Sequence, residues 1–176
     1  MNLVQVDTTR LVDKLKRLGT RGSQMAKAVI QSQADLMVID AKRRAPADLG
    51  ALRQSIGKES INDGFIAAVY VNAPYAAYVE FGTGVRVDIP AEMADIAAKY
   101  KGKGNGSFEQ FKVAIKDWMQ RKGIDPKYAY VIMMQILHNG LRPQPFFYPA
   151  YQTMRKNLPK KLKLAFEREW QAQFSR

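Results

Sequence analysis

Asn62-Asp63-Gly64-Phe65-Ile66-Ala67-Ala68-Val69-Tyr70-Val71-Asn72 is the stretch from which the architecture follows. Asn-Asp-Gly supplies residues that tolerate left-handed backbone, and the run after it is rich in strand formers. With Leu52–Ser60 before the turn, the spacing predicts an antiparallel hairpin, one strand over 52–60 and another over 65–72. Phe65, Ala67, Val69 and Val71 would share one face, and Ile66, Ala68 and Tyr70 the other. Both faces are apolar, so the sheet is expected to be covered on both sides.

Helices surround the hairpin. Leu11, Leu15 and Leu18 share a face, and Gly19 is expected to stop a short helix over 9–18. A long helix is predicted over 23–44. Met25, Val29 and Leu36 lie on one side, broadened by Ala26, Ile30 and Met37. Pro46 disfavours helical backbone at Ala45 and ends it. Lys42-Arg43-Arg44 then falls in the last turn, where the helix dipole favours cations. The fold class is α+β: a long N-terminal helix on a small antiparallel sheet, a helical insertion and a C-terminal helix.

Residues 85–140 read as the helical insertion, with 1–84 and 141–176 as the core. Pro90 suits the first turn of a helix to about Tyr100. Lys101-Gly102-Lys103-Gly104-Asn105-Gly106 reads as a connector, because it lacks the P-loop spacing and no apolar strand precedes it. Ser107 and Gln110 form a capping-box pattern. Phe108, Phe111, Ile115, Trp118 and Met119 give the helix its stripe, and Gly123 stops it. Asp125-Pro126 opens another helix, closed by Asn139-Gly140. That second helix is so apolar, with Tyr130, Val131, Met134 and Leu137, that it is expected to be buried and not to read DNA bases. Pro143, Pro145 and Pro149 should keep their segment extended. A last helix carries Leu162, Phe166 and Trp170, and Pro159 is expected to kink or restart it.

The net charge of +12 is unevenly spread. Residues 1–98 hold 12 basic and 11 acidic side chains, whereas 99–176 hold 16 and 5. Lys101, Lys103, Lys112, Lys116, Arg155, Lys156, Lys160, Lys161 and Lys163 are candidate contacts to DNA or an acidic protein face. The same charges could equally serve solubility alone. The chain has no cysteine, which removes thiolate chemistry, disulfides and cysteine zinc sites. Met1–Asp7 lacks the basic-then-apolar pattern of a secretory signal. His138 is the single histidine, with no flanking carboxylates to complete a metal site or catalytic set. Asp88 with Glu92, and Glu167 with Glu169, read as surface charges. No catalytic site, cofactor or metal is expected.

Pro74-Tyr75-Ala76-Ala77-Tyr78-Val79-Glu80-Phe81-Gly82-Thr83-Gly84 is the remaining distinctive segment. It pairs with Arg142-Pro143-Gln144-Pro145-Phe146-Phe147-Tyr148-Pro149-Ala150. These aromatics fit core packing or interface anchoring. The order Ala41-Lys42, Ala45-Pro46, Gly50–Ile56, Tyr75–Thr83 and Pro143–Ala150 resembles the gene-product-ten-like tail-component family of long-tailed phages. Members are described as neck, tail-completion or head–tail joining proteins. The resemblance spans most of residues 22–165, and the 85–140 insertion departs from the short connection of the plainest members.

The resemblance implies a non-enzymatic virion protein of the neck, assembled in the host cytoplasm. It would join head to tail as a homo-oligomeric ring between adaptor or stopper and the tail terminator or tube. Packaged DNA could contact it, and no membrane is involved. Interface candidates are Arg53, Tyr75, Tyr78, Glu80, Phe81, Gly82, Thr83, Pro143, Pro145, Phe146, Phe147 and Pro149. Arg53 is expected to pair with a partly buried Glu80. The alternative function is a non-specific basic DNA-binding protein.

Overall fold

A computed structural model describes residues 9–48, 50–98 and 107–174. The chain forms two compact units. One holds the described residues through Asn72 and those from Phe146 onward; the other is Ala73–Pro145.

In the first unit, α1 runs without a break over Thr9–Arg44. The expected stop at Gly19 does not occur. A glycine in a helix interior costs only about 1 kcal/mol, and packing offsets that. A Cβ on the next glycine, Gly22, would come within 3.0 Å of the Phe166 ring, so this side of α1 is a seat for the last helix. That helix, α7, covers Phe147–Phe174 and lies antiparallel to α1: Gly22 faces Phe166, and Arg21 pairs with Glu169 at 3.4 Å. At the other end, Met37 and Asp40 share a groove of about 360 Å³ with Ala150 and Met154. Ala34, Ala41, Ala45 and Ala150 are all buried, and their small side chains allow close backbone approach.

α7 departs from expectation twice. It begins at Phe147, so Pro149 lies in its first turn, where no helical N–H is required. It also runs through Pro159 without restarting. Pro159 is on the exposed side, where water can take the carbonyl that proline leaves unbonded.

At the end of α1, Asp40 accepts hydrogen bonds from Arg43 at 2.9 Å and Arg44 at 3.0 Å. Burial acts to raise the Asp40 carboxyl, but the bonds from Arg44 and Arg43 outweigh it and hold the group below the usual aspartate value. A depressed carboxylate adds stability above its unfolded pKa and loses it as pH falls through the folded one. Asp40→Asn is therefore expected to cost about 0.5–1 kcal/mol at neutral pH. In urea titrations across pH, that difference should vanish on the acid side of the normal aspartate range.

The hairpin is shorter than expected. β1 is Ile56–Ile61 and β2 is Ile66–Val71, antiparallel, with Ile56 opposite Val71 and Ile61 opposite Ile66. Residues 51–54 form a one-turn helix, α2 (Ala51–Gln54), which buries Leu52. Asn62, Asp63 and Gly64 all take positive φ in the turn. α1 clasps the hairpin with residues one turn apart: Lys27 pairs with Asp63, and Gln31 Nε2 donates to the Gly64 carbonyl at 3.0 Å. Lys58 Nζ reaches Asp35 at 2.7 Å. Phe65 belongs to the turn and not to the strand, with Lys27 Nζ 4.7 Å from its ring centroid.

The face carrying Ala67, Val69 and Val71 is half-buried. The other face is open: Ile61, Ile66 and Tyr70 are exposed, Ile66 by 50 %. Tyr70 lies across Gly57, where a Cβ would meet its hydroxyl at 2.7 Å. The expected second cover is thus not supplied by the described residues.

In the second unit, α3 is Ala76–Phe81. A 3-10 turn at Ala91–Met93 leads into α4, Ala94–Ala98. The glycine-lysine connector at 101–106 lies outside the described residues. The Ser107 capping box forms with both of its bonds and starts α5, Phe108–Arg121, whose Met119 is fully buried. Asp125 caps a 3-10 turn through Lys127 N–H, and α6 follows over Ala129–Asn139.

Candidate interaction site

α3 brings the aromatic segment together. Its inner residues Glu80 and Phe81 are buried, Glu80 only 5 % exposed. Tyr78 is half-buried and Tyr75 exposed. No buried side-chain polar atom among the described residues lacks a partner, so the Glu80 carboxylate is satisfied.

The helix ends in a backbone clamp. Gly82 has φ 74° and ψ −173°, and Gly140, closing α6, has φ 74° and ψ 178°. Only glycine occupies that region readily. Between them, Thr83 N–H donates to the Leu141 carbonyl at 3.1 Å, and Leu141 N–H donates to Thr83 Oγ1 at 2.8 Å. Gln144 N–H then donates to the Val79 carbonyl at 2.7 Å. Residues 141–144 are therefore laid against residues 79–83. Thr83 holds it with both backbone and side chain.

Next to the clamp is a groove of about 690 Å³, lined by Tyr78, Phe81, Val87, Ile89, Ala94 and Ala97 among others. Its lining is apolar and carries no nucleophile–base pair. No group of three or more histidine, aspartate or glutamate side chains among the described residues could hold a metal. His138 is exposed in the last turn of α6.

The remaining candidates are dispersed. Arg53, in α2, donates from Nε to the Ala45 carbonyl at 3.0 Å, fastening the chain just past α1. Pro143 is half-buried and Pro145 exposed. Phe146 is 1 % exposed, while Phe147 and Pro149 sit half-buried in the first turn of α7. Lys112 lies 3.8 Å from Glu109, and Lys116 is exposed on α5. Arg155, Lys156, Lys160, Lys161 and Lys163 are exposed on α7. Lys101 and Lys103 fall outside the described residues.

α6 overturns one expectation. Its inner face buries Ala129 and Met133, but Tyr130, Val131 and Leu137 are exposed by 67 %, 57 % and 56 %. With half-buried Met134, residues 130, 134 and 137 form a stripe at spacings of four and three. That is the spacing of a helix-packing seam. Composition shows an apolar helix; it does not show that one side has no cover among the described residues.

Residues 9–82 match the family model of HK97-gp10-like proteins, described as Bacteriophage HK97-gp10, putative tail-component. The match takes in α1, the hairpin and α3, and it stops at Gly82, so the clamp partner at 140–141 and α7 lie beyond it. Over this segment the chain is similar to a structural phage tail component. No curated protein and no solved structure gives a match. No helix among the described residues is long and apolar enough to cross a membrane.

Proposed function

We propose that this protein is a structural component of the phage neck, joining the filled head to the tail as a head–tail connector or tail-completion protein. One observation carries the reading: in a chain matching a tail-component family, large apolar side chains on the hairpin and on α6 have no cover among the described residues. Contiguous exposed apolar surface of this kind marks protein–protein contact. Head-to-tail contacts between copies would close a ring, with the open hairpin face as one contact. Ring faces would meet an adaptor or stopper on the head side and the terminator or tube on the tail side. The work is geometric, and no cofactor takes part.

The reading predicts that lysates lacking the protein accumulate DNA-filled heads and finished tails that remain separate under negative stain. Adding purified protein should restore joined, infectious particles. Joined particles in its absence would refute it. The second reading, a basic DNA-binding protein, draws on the lysines of α7.

A further inference from the structure

We infer that the outer face of α7 bearing Lys156, Lys160 and Lys163 is a binding surface for the phosphate backbone of duplex DNA. The inference stands independently of the joining role.

The helix itself makes the case. Ala150, Met154, Leu158, Leu162 and Ala165 recur at helical spacing, and all are buried or half-buried. This fixes which side of α7 packs inward. Lys156, Lys160 and Lys163 are spaced by four and three on the opposite side, all exposed. Arg155 and Lys161 are also exposed but lie off this face. From Phe147 to Phe166 the helix contains no Asp or Glu. Glu167 lies 3.8 Å from Lys163, with both side chains mostly in water, and so neutralises little.

The chemistry of this face selects the partner. Lysines are depleted from the cores of protein interfaces, which rely on aromatic and apolar anchors. None lies among these three. Single-stranded nucleic acid is held by aromatics interleaved with cations, and residues 155–163 contain none. Base reading draws most on amide and guanidinium forks aimed at base edges, and the three lysines of this face are mobile point charges. Exposed point charges along a rigid rod suit the regular phosphates of a duplex. At 1.5 Å per residue, Lys156 to Lys163 spans roughly 10 Å of helix. Duplex DNA presents about six phosphate charges over that length.

The test measures binding of the full chain to a duplex of roughly 30 base pairs by fluorescence anisotropy, at salt from about 50 to 200 mM. The triple variant Lys156→Gln, Lys160→Gln, Lys163→Gln should lower the slope of log K against log salt by about 2.7, about 0.9 per lost contact. The triple Lys→Arg variant should keep the slope. Lys16→Gln with Arg17→Gln, exposed on α1, should leave it unchanged. The inference is overturned if the wild-type chain does not bind duplex. It is equally overturned if the Gln triple keeps its slope, or if poly-glutamate competes as well as duplex does. Because the three side chains are exposed, the Gln variant should retain its melting temperature. It should also still join heads to tails, which separates failure here from failure of the joining role.

Discussion

Gly140→Ala is expected to unfold the unit formed by Ala73–Pro145. A Cβ at this position would lie 1.7 Å from the Thr83 carbonyl oxygen and 2.4 Å from its carbon. Both are backbone atoms, so no rotamer change relieves the overlap. The backbone conformation, φ 74° and ψ 178°, adds its own penalty for any L residue with a side chain. Retaining the native clamp would cost well over about 4 kcal/mol. The chain would instead give up the Thr83–Leu141 bonds. Gly84→Ala makes an informative contrast. Its φ is 61°, in the ordinary left-handed region, and its nearest contact is the Gly140 Cα at 3.1 Å. A loss of about 1–2 kcal/mol is expected there. The two tryptophans make the assignment direct, since Trp118 lies in this unit and Trp170 in the other. In a Trp170→Phe background, the emission of Gly140→Ala should resemble that of denatured protein. A native spectrum with unchanged urea midpoint would show that the clamp is not needed.

Phe146→Ala is expected to remove about 3–5 kcal/mol from the unit that contains α1, the hairpin and α7, the usual cost of emptying a fully enclosed phenylalanine site. Phe146 is among the largest fully buried side chains of the described residues, together with Ile56 and Met119. Its ring meets Phe147 edge-on at a centroid distance of 6.5 Å, and such pairs add to simple burial. Followed through Trp170, the melting temperature should fall by roughly 10 °C or more. Phe146→Leu, which keeps most of the volume, should cost about 1 kcal/mol. The pair of variants decides between two roles the sequence left open for this residue. Full stability with lost assembly would make Phe146 an interface anchor; lost stability makes it core.

The hairpin could be read from sequence because its information is local: a turn triplet and a strand-forming run need no distant partner to be recognised. The same holds for the Ser107 capping box and for the Gly123 and Gly140 stops. Where the structure differs from these local signals, packing and turn bonds decide. Gly19 would end an isolated helix, but α7 rests on the neighbouring Gly22 and carries α1 through. Leu52 has the look of a strand residue, yet it is buried from the one-turn helix α2 that precedes β1. Phe65 joins the turn, its N–H donating to the Asn62 carbonyl at 3.1 Å, with Lys27 of α1 over its ring. α6 was expected to be buried because an apolar helix usually is; composition does not say which sides a neighbour covers. For the candidate site, Tyr75–Thr83 was visible as an unusual local sequence. Its partner was not, because Thr83 and Leu141 stand 58 positions apart and nothing local marks Gly140 as more than a helix stop.

The clamp also bears on how such a chain can diversify. Because Thr83 and Leu141 are hydrogen-bonded to each other, everything from 84 to 140 leaves and returns at one doorway. The closure entropy of such a detour grows only slowly, about 0.6 kcal/mol for each doubling of its length. A short bridge or a long helical excursion could therefore hang from the same hinge with little change in the stability of what lies outside it. The matched family segment ends at Gly82, immediately before that doorway. We propose that residues 85–139 are in this sense an interchangeable cassette. A chimera that replaces residues 85–139 with a short glycine-serine bridge, keeping Gly82-Thr83-Gly84 and Gly140-Leu141, would preserve the mooring and isolate what the cassette contributes.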